Sequence, residues 1–160
     1  MNSGTRDDEP LRRLGGGFRA LADAEIAALE AQGCSAEDWR AVTVATGFDA
    51  ATVRDVAFSG PCRLGAFRKT YTLPGGVRKP AGVYRATLHN VTVGDDCRIS
   101  NVRSYIANYD IGAGALIANV DKIYVEGETS FGNGVEVSVL NETGGREVTI
   151  HTALTAHEAY

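Results

Sequence analysis

Large apolar residues recur every six positions in the second half of the chain. They occupy six consecutive such positions without a slip, namely Val93, Ile99, Tyr105, Ile111, Ile117 and Ile123. Most of them are β-branched, the residue type that favours strands. Three sides of six residues form one coil, and a coil needs neighbouring coils to bury its apolar side chains. The pattern therefore predicts a parallel β-helix over about residues 91–148.

A period of eighteen residues overlies the shorter one. Residues 93–97 align with 111–115, and residues 99–102 align with 117–120, with a third copy over 131–140 after an interval of twenty residues. This period is typical of a triangular coil in which equivalent residues stack in columns. An antiparallel β-sandwich with chance periodicity is the alternative interpretation.

Two asparagine pairs share the eighteen-residue spacing. These pairs are Asn90 with Asn108, and Asn101 with Asn119. Stacked amides can hydrogen-bond along a column, and asparagine tolerates the left-handed backbone that a sharp corner requires. We therefore expect asparagine ladders at the corners of the coil.

The first third of the chain has a different pattern. Residues 1–17 are polar and glycine-rich, which predicts a disordered lead. A loose apolar face over 21–32, a stop at Gly33 and two further capped starts, at Ser35 and Asp49, predict a small helical N-terminal cap over 18–57. From residue 58 strand-forming and turn residues alternate. The predicted organisation is thus a mainly β protein, with a β-helix over 58–148 and a C-terminal tail over 149–160.

These hexads resemble the hexapeptide-repeat, left-handed β-helix superfamily of acyltransferases. From residue 21 to residue 160 the chain more closely resembles a bacterial domain-of-unknown-function family of long proteins distantly related to those enzymes. The segments that carry this resemblance are 29–34, 36–39, 47–49, 58–60, 73–76, 87–90, 105–109 and 140–147, of which Asn-Glu-Thr-Gly-Gly-Arg at 141–146 is the most specific.

The resemblance implies left-handed coiling, a homotrimer and ligands bound between neighbouring helices. It also implies a hexapeptide-type transferase that moves an acyl group, with acyl-CoA as the donor, onto a sugar or a nucleotide-sugar. The competing hypothesis is a non-catalytic module that caps, trimerises or scaffolds a longer β-helix, because about three clear coils give little surface for a donor groove. Fold alone does not decide between the two.

The charge of the chain is distributed unevenly. Residues 61–103 carry eight basic residues and two acidic ones, although the whole chain has a net charge of −4. A basic segment between two acidic ones can collect an anionic sugar or nucleotide, for which Arg85 is a candidate binding residue. Complementary packing between subunits or segments explains the same pattern. The acidic total and the lack of a basic helix argue against nucleic acid.

His89 is the candidate catalytic residue. A histidine commonly serves as the general base in hexapeptide acyltransferases, and His89 lies beside the basic segment. A structural role for His89 is the alternative. The second candidate is the run 141–147, in which Asn141, Glu142 and Arg146 would bind substrate. There two glycines expose backbone N–H groups and Arg146 can grip a carboxylate or phosphate. A tight corner with an Arg–Glu pair explains that run equally.

The remaining features narrow the function further. Three widely spaced cysteines, without a CxxC pair, predict buried thiols and no metal site. The chain has no apolar stretch long enough to span a membrane, and residues 1–9 lack the apolar core of a signal peptide. A cytoplasmic location is therefore expected.

Overall fold

Parallel strands stacked in successive coils make up most of the described structure, a computed structural model. It describes residues 17–127, 136–138 and 147–149, and the chain divides into two units, Met1–Val125 and Glu126–Tyr160. The first unit is a β-solenoid of about five turns with one short helix, α1, at Asp23–Ala31. Its strands are β1 Phe18–Ala20, β2 Ser35–Ala36, β3 Val42–Ala45, β4 Val53–Ser59, β5 Cys62–Leu64, β6 Thr70–Thr72, β7 Arg78–Pro80, β8 Gly82–Val93, β9 Arg98–Ser100, β10 Tyr105–Ile111, β11 Leu116–Ala118 and β12 Lys122–Tyr124.

The core consists of three columns of apolar side chains, one for each side of the coil. Strand pairing aligns their members from coil to coil, and a fully buried Val, Leu or Ile is worth roughly 1.5–3 kcal/mol relative to an exposed one. The columns are Val53, Val83, Ile99 and Ile117; Ala36, Phe58, Leu88, Ile106 and Ile123; and Val44, Leu64, Val93 and Ile111.

The eighteen-residue period is confirmed for two strand pairs, whereas β10 pairs with β12 at an offset of seventeen, and the even division into hexads is not confirmed. Strand β8 pairs with β10 and β9 with β11 at offsets of eighteen residues. However, Ile106 is fully buried, whereas the predicted column member Tyr105 is 37% exposed. The inward positions therefore run from Ile99 to Ile106 and then to Ile111, in steps of seven and five. An isoleucine suits this interior better because a buried tyrosine would need a partner for its hydroxyl.

Both predicted asparagine ladders are present. The Nδ2 atom of Asn90 donates to Asn108 Oδ1 at 3.0 Å, and the Nδ2 atom of Asn101 donates to Asn119 Oδ1 at 2.9 Å. All four residues have φ between 52° and 57°. Asparagine therefore supplies the left-handed corner and a hydrogen bond to the next coil with one residue.

The expectation of a helical cap over residues 18–57 is met only in part. Helix α1 ends before Gly33, which has the predicted left-handed backbone. The predicted helices at Ser35 and Asp49 are wrong: β2 starts at Ser35, and Asp49 caps only the 3₁₀ turn Ala50–Thr52 before β4. Parallel pairing of β2 with β4 places these residues in the solenoid. Burial of alternate side chains outweighs the local capping signals here.

The described part of the third copy of the repeat is the strand at residues 136–138. In the second unit, β13 at Glu136–Ser138 pairs antiparallel with β14 at Glu147–Thr149. This antiparallel pairing differs from the parallel pairing that the third copy of the repeat predicts.

An ion pair fixes strand β1 to the start of α1. Both oxygens of Glu25 accept hydrogen bonds from Arg19 at 2.7 Å, and Oε2 also accepts from the Ala22 backbone N–H at 2.8 Å. The hydrogen bond from Arg19 is the main reason why the pKa of Glu25 falls to about 2, with the Ala22 amide contributing. The folded chain therefore binds a proton at Glu25 less readily than the unfolded chain.

Glu25→Gln is expected to lower the midpoint of thermal unfolding slightly at pH 7. Because the pKa is lowered in the folded state, the stabilisation by Glu25 is fully present above about pH 4.5 and is lost as the pH falls toward 2. The difference between the variant and the wild type should close over that interval in calorimetric scans. The exposed Glu37, replaced by glutamine, serves as the control for the same change of net charge away from the ion pair.

Candidate functional site

Left-handed residues mark the corners of the coil and set where the candidate side chains lie. One corner column contains Gly33, Asp55, Arg85, Asn101 and Asn119, and a second contains Gly60, Asn90 and Asn108. Arg85 and His89 therefore belong to the same strand, β8, but lie toward different corners. The structure does not bring these two predicted site residues together.

A groove of about 480 Å³ lies along the corner that contains Arg85. Its polar lining includes Arg54, Lys79, Arg85, Arg98, Asn101 and Asn119. Apolar atoms of Leu73 and Leu116 form parts of its walls. No histidine or cysteine is among the lining residues. The groove therefore offers many hydrogen-bond donors to an anion.

Arg98 is held in place at this groove by two contacts. Its guanidinium lies over the ring of Tyr84, 4.9 Å from the ring centroid, and its Nη1 donates to the carbonyl oxygen of Pro80. The Tyr84 hydroxyl in turn donates to the Ala81 carbonyl at 2.9 Å, and burial raises the pKa of the phenol. Arg98 is thus preorganised, with its remaining N–H groups free to face the groove.

His89 takes part in a hydrogen-bond chain that fixes its tautomer. Asn108 Nδ2 donates to the Val125 carbonyl, so its Oδ1 accepts from Asn90 Nδ2. The second N–H of that amide points to His89 Nε2 at 3.0 Å, and Ser59 Oγ lies 2.8 Å from Nδ1. The Nε2 atom is therefore the acceptor and Nδ1 carries the proton.

These contacts favour a structural function for His89. Its basic nitrogen already accepts the Asn90 amide, so taking a proton from a substrate would require breaking that bond. The imidazole links the Asn90–Asn108 ladder to Ser59 on the preceding coil. A role as general base stays a prediction. The other predicted binding residues, Asn141, Glu142 and Arg146, lie outside the described residues.

Sequence reasoning identified Arg85 but missed its neighbours. Arg54 lies on strand β4, which pairs with β8 at an offset of thirty residues. Arg98 lies on strand β9, which pairs with β8 at an offset of sixteen residues. Neither offset equals the repeat of eighteen. Once β4 and β9 are aligned with β8, the clustering of basic residues at one corner is visible.

The three cysteines are buried and free, as predicted, and burial raises the pKa of each thiol. In the described part of the chain, no three His, Cys, Asp or Glu side chains cluster in a way that could hold a metal ion. Over the same residues, no helix has the length and apolar character needed to cross a membrane.

Comparison with known proteins identifies the family of the chain and a relative of it. A family profile described as a domain of unknown function, DUF4954, matches residues 18–160. The chain is 28% identical over 154 residues to an uncharacterized protein of Treponema pallidum (strain Nichols), covering 89% of this chain and 21% of that protein. The chain thus spans about a fifth of the length of this curated relative. No solved structure matches it.

Proposed function

The chain belongs to the family described as a domain of unknown function, DUF4954, and we propose a structural function for it. The chain is a non-catalytic module that caps and scaffolds a longer β-helix. The observation that carries this proposal is the change of pairing at β3. Strand β3 pairs parallel with β5 on one side, like the stacked coils, but antiparallel with β1 on the other.

An antiparallel strand suits the end of a solenoid. A coil edge left unpaired presents free backbone N–H and C=O groups and invites association with other edges. Strand β1 covers that edge, and α1 adds Leu29, which is fully buried, to the core beside it. Terminal repeats of solenoids need such a closing element for solubility.

The finer parts of the proposal follow from the resemblance to hexapeptide-repeat proteins. They are left-handed coiling and a homotrimer, and the cytoplasmic location is proposed from the amino-acid sequence. The offsets of eighteen residues support three-sided coils, and the left-handed sense comes from the resemblance alone. The exposed pair of Tyr105 and Tyr124, with ring centroids 5.9 Å apart, supports a contact between copies.

Acyl transfer to a sugar or nucleotide-sugar is the second candidate function. The basic groove beside Arg85 supports it, because nucleotide-sugars and acyl-CoA both carry phosphates. The occupied Nε2 of His89 weighs against that residue as the base. We therefore place the scaffold function first.

Removing β1 tests the capping function. A chain that starts at Leu21 lacks β1 and is expected to self-associate with rising concentration, as measured by light scattering after size exclusion. A chain that starts at Gly17 retains β1 and is expected to behave like the full chain, as a trimer. Equal behaviour of the two truncated chains would contradict the capping function. Turnover of acetyl-CoA and a nucleotide-sugar that His89→Gln abolishes would favour the transferase instead.

A further inference from the structure

The basic residues that line the groove beside Arg85 outnumber the acidic ones. Four basic side chains line it, those of Arg54, Lys79, Arg85 and Arg98, against one acidic residue, Asp55. The ion pairs found in the described part of the chain involve other residues, so no described carboxylate lies within 4.0 Å of these four basic groups. The positive charge is therefore available to a ligand.

The carboxylate of Asp55 lies at the boundary between the groove and a neighbouring depression. A Cβ placed on Gly33 would lie 2.5 Å from Asp55 Oδ1, so this oxygen packs against the preceding coil. Gly33 lines that depression, which shares Asp55 and Arg85 with the groove. The four basic groups therefore outnumber the single carboxylate in the lining of the groove.

The backbone of Arg85 is a second and independent indication of function. Arg85 has φ 53°, in the left-handed region that costs energy for L-residues and costs asparagine less. The next two coils place Asn101 and Asn119 at this corner position and join them by a hydrogen bond. Arginine is a poor choice for the fold at this point. Strained residues of this kind concentrate at binding sites, where the side chain is needed.

We propose that this groove binds the phosphate group of a small phosphorylated molecule, of the size of a sugar phosphate or a mononucleotide. Guanidinium groups match phosphate oxygens in a bidentate way, and Arg98 is already held by Tyr84 and Pro80. A volume of about 480 Å³ lies within the usual range for small ligands, roughly 300–1,000 Å³. The Asn101 and Asn119 amides supply partners for hydroxyl groups or a base.

Isothermal titration of the full chain at low ionic strength tests this proposal. The probes are inorganic phosphate, glucose 1-phosphate and AMP, with glucose and adenosine as counterparts that lack phosphate. Binding of at least one phosphorylated probe, without binding of its counterpart, is expected. A preference for glucose 1-phosphate or for AMP then identifies the rest of the ligand. The absence of heat from all three phosphate probes at millimolar concentration would overturn the proposal.

The decisive variant is Arg85→Asn, which removes the guanidinium and restores the residue that the next coils use. Its affinity should fall about 10- to 100-fold, the factor that corresponds to a lost charge-assisted hydrogen bond. Its unfolding midpoint should equal or exceed that of the wild type, because the left-handed corner suits asparagine better. If Arg85 served only the fold, the variant would not combine a loss of affinity with retained stability.

Two further variants keep the outcome unambiguous. Arg103→Asn makes the same change of net charge at an exposed residue outside the groove, and its affinity should stay within about twofold of the wild type. Lys79→Gln, on the exposed strand β7, should weaken binding even if Arg85→Asn folds poorly. Equal losses in Arg103→Asn and Lys79→Gln would mean that net charge alone attracts the phosphate, and the groove would be rejected.

Discussion

Ile106→Ala is expected to lower the free energy of unfolding by about 2–5 kcal/mol, as is usual for a buried aliphatic side chain cut back to alanine. Ile106 is fully buried and aligned with Leu88 below and Ile123 above. Truncation would leave a cavity between two coils that cannot close without losing their register. The loss should appear in urea unfolding as a lower midpoint with an unchanged slope.

The neighbouring substitution, Tyr105→Ala, provides the matched comparison. Tyr105 is 37% exposed and contacts the ring of Tyr124 at the surface. Its loss should cost about 1 kcal/mol, the contribution of one aromatic pair. The even hexad pattern predicts the reverse order, with Tyr105 in the core. A larger loss for Tyr105→Ala would therefore overturn the seven-and-five division of this coil.

This pair of residues shows how far periodicity alone can predict the fold. The period of eighteen is visible in the sequence where three strands of a coil follow one another without an insertion, and the asparagines mark two of the corners. Which residues of a coil face inward depends on which side chains lose the least free energy when they leave water. Ile106 takes the buried position in place of Tyr105 because the isoleucine side chain has no polar atom. The resemblance to a family of unknown function, stated from short segments, is confirmed by the match over residues 18–160.

The first coils were harder to predict than the later ones for a physical reason. Strands β4 and β8 pair at an offset of thirty residues because the hairpin of β6 and β7 is inserted between them. Their repeat is therefore hidden, and local capping signals at Ser35 and Asp49 led to a helical prediction. The same insertion conceals the groove, because Lys79 lies in the hairpin while Arg54 and Arg98 lie on stacked strands. Charge counting along the chain could identify Arg85 only as one of eight basic residues.

Gly94→Ala is expected to destabilise the chain by about 3 kcal/mol, at the upper end for overpacking by one methyl group. A Cβ placed on Gly94 would lie 2.6 Å from the backbone nitrogen of Ala113, in the next coil. The contact is with backbone, so no side chain can rotate away. Gly94 also donates to the Ile111 carbonyl at 2.8 Å, a bond between coils that the added methyl would stretch.

Gly112→Ala, at the equivalent position eighteen residues later, is expected to raise the free energy of unfolding. A Cβ on Gly112 would meet nothing within 4 Å among the described residues, and neither glycine has a left-handed φ. Alanine meets no clash among the described residues, and its restriction of the unfolded chain should stabilise the fold by about 0.5 kcal/mol. Chemical unfolding of the two variants measures both effects against the same wild type. Equal losses of unfolding free energy in the two variants would mean that both glycines are needed for the backbone conformation. The explanation from close backbone contact between coils at Gly94 would then be wrong.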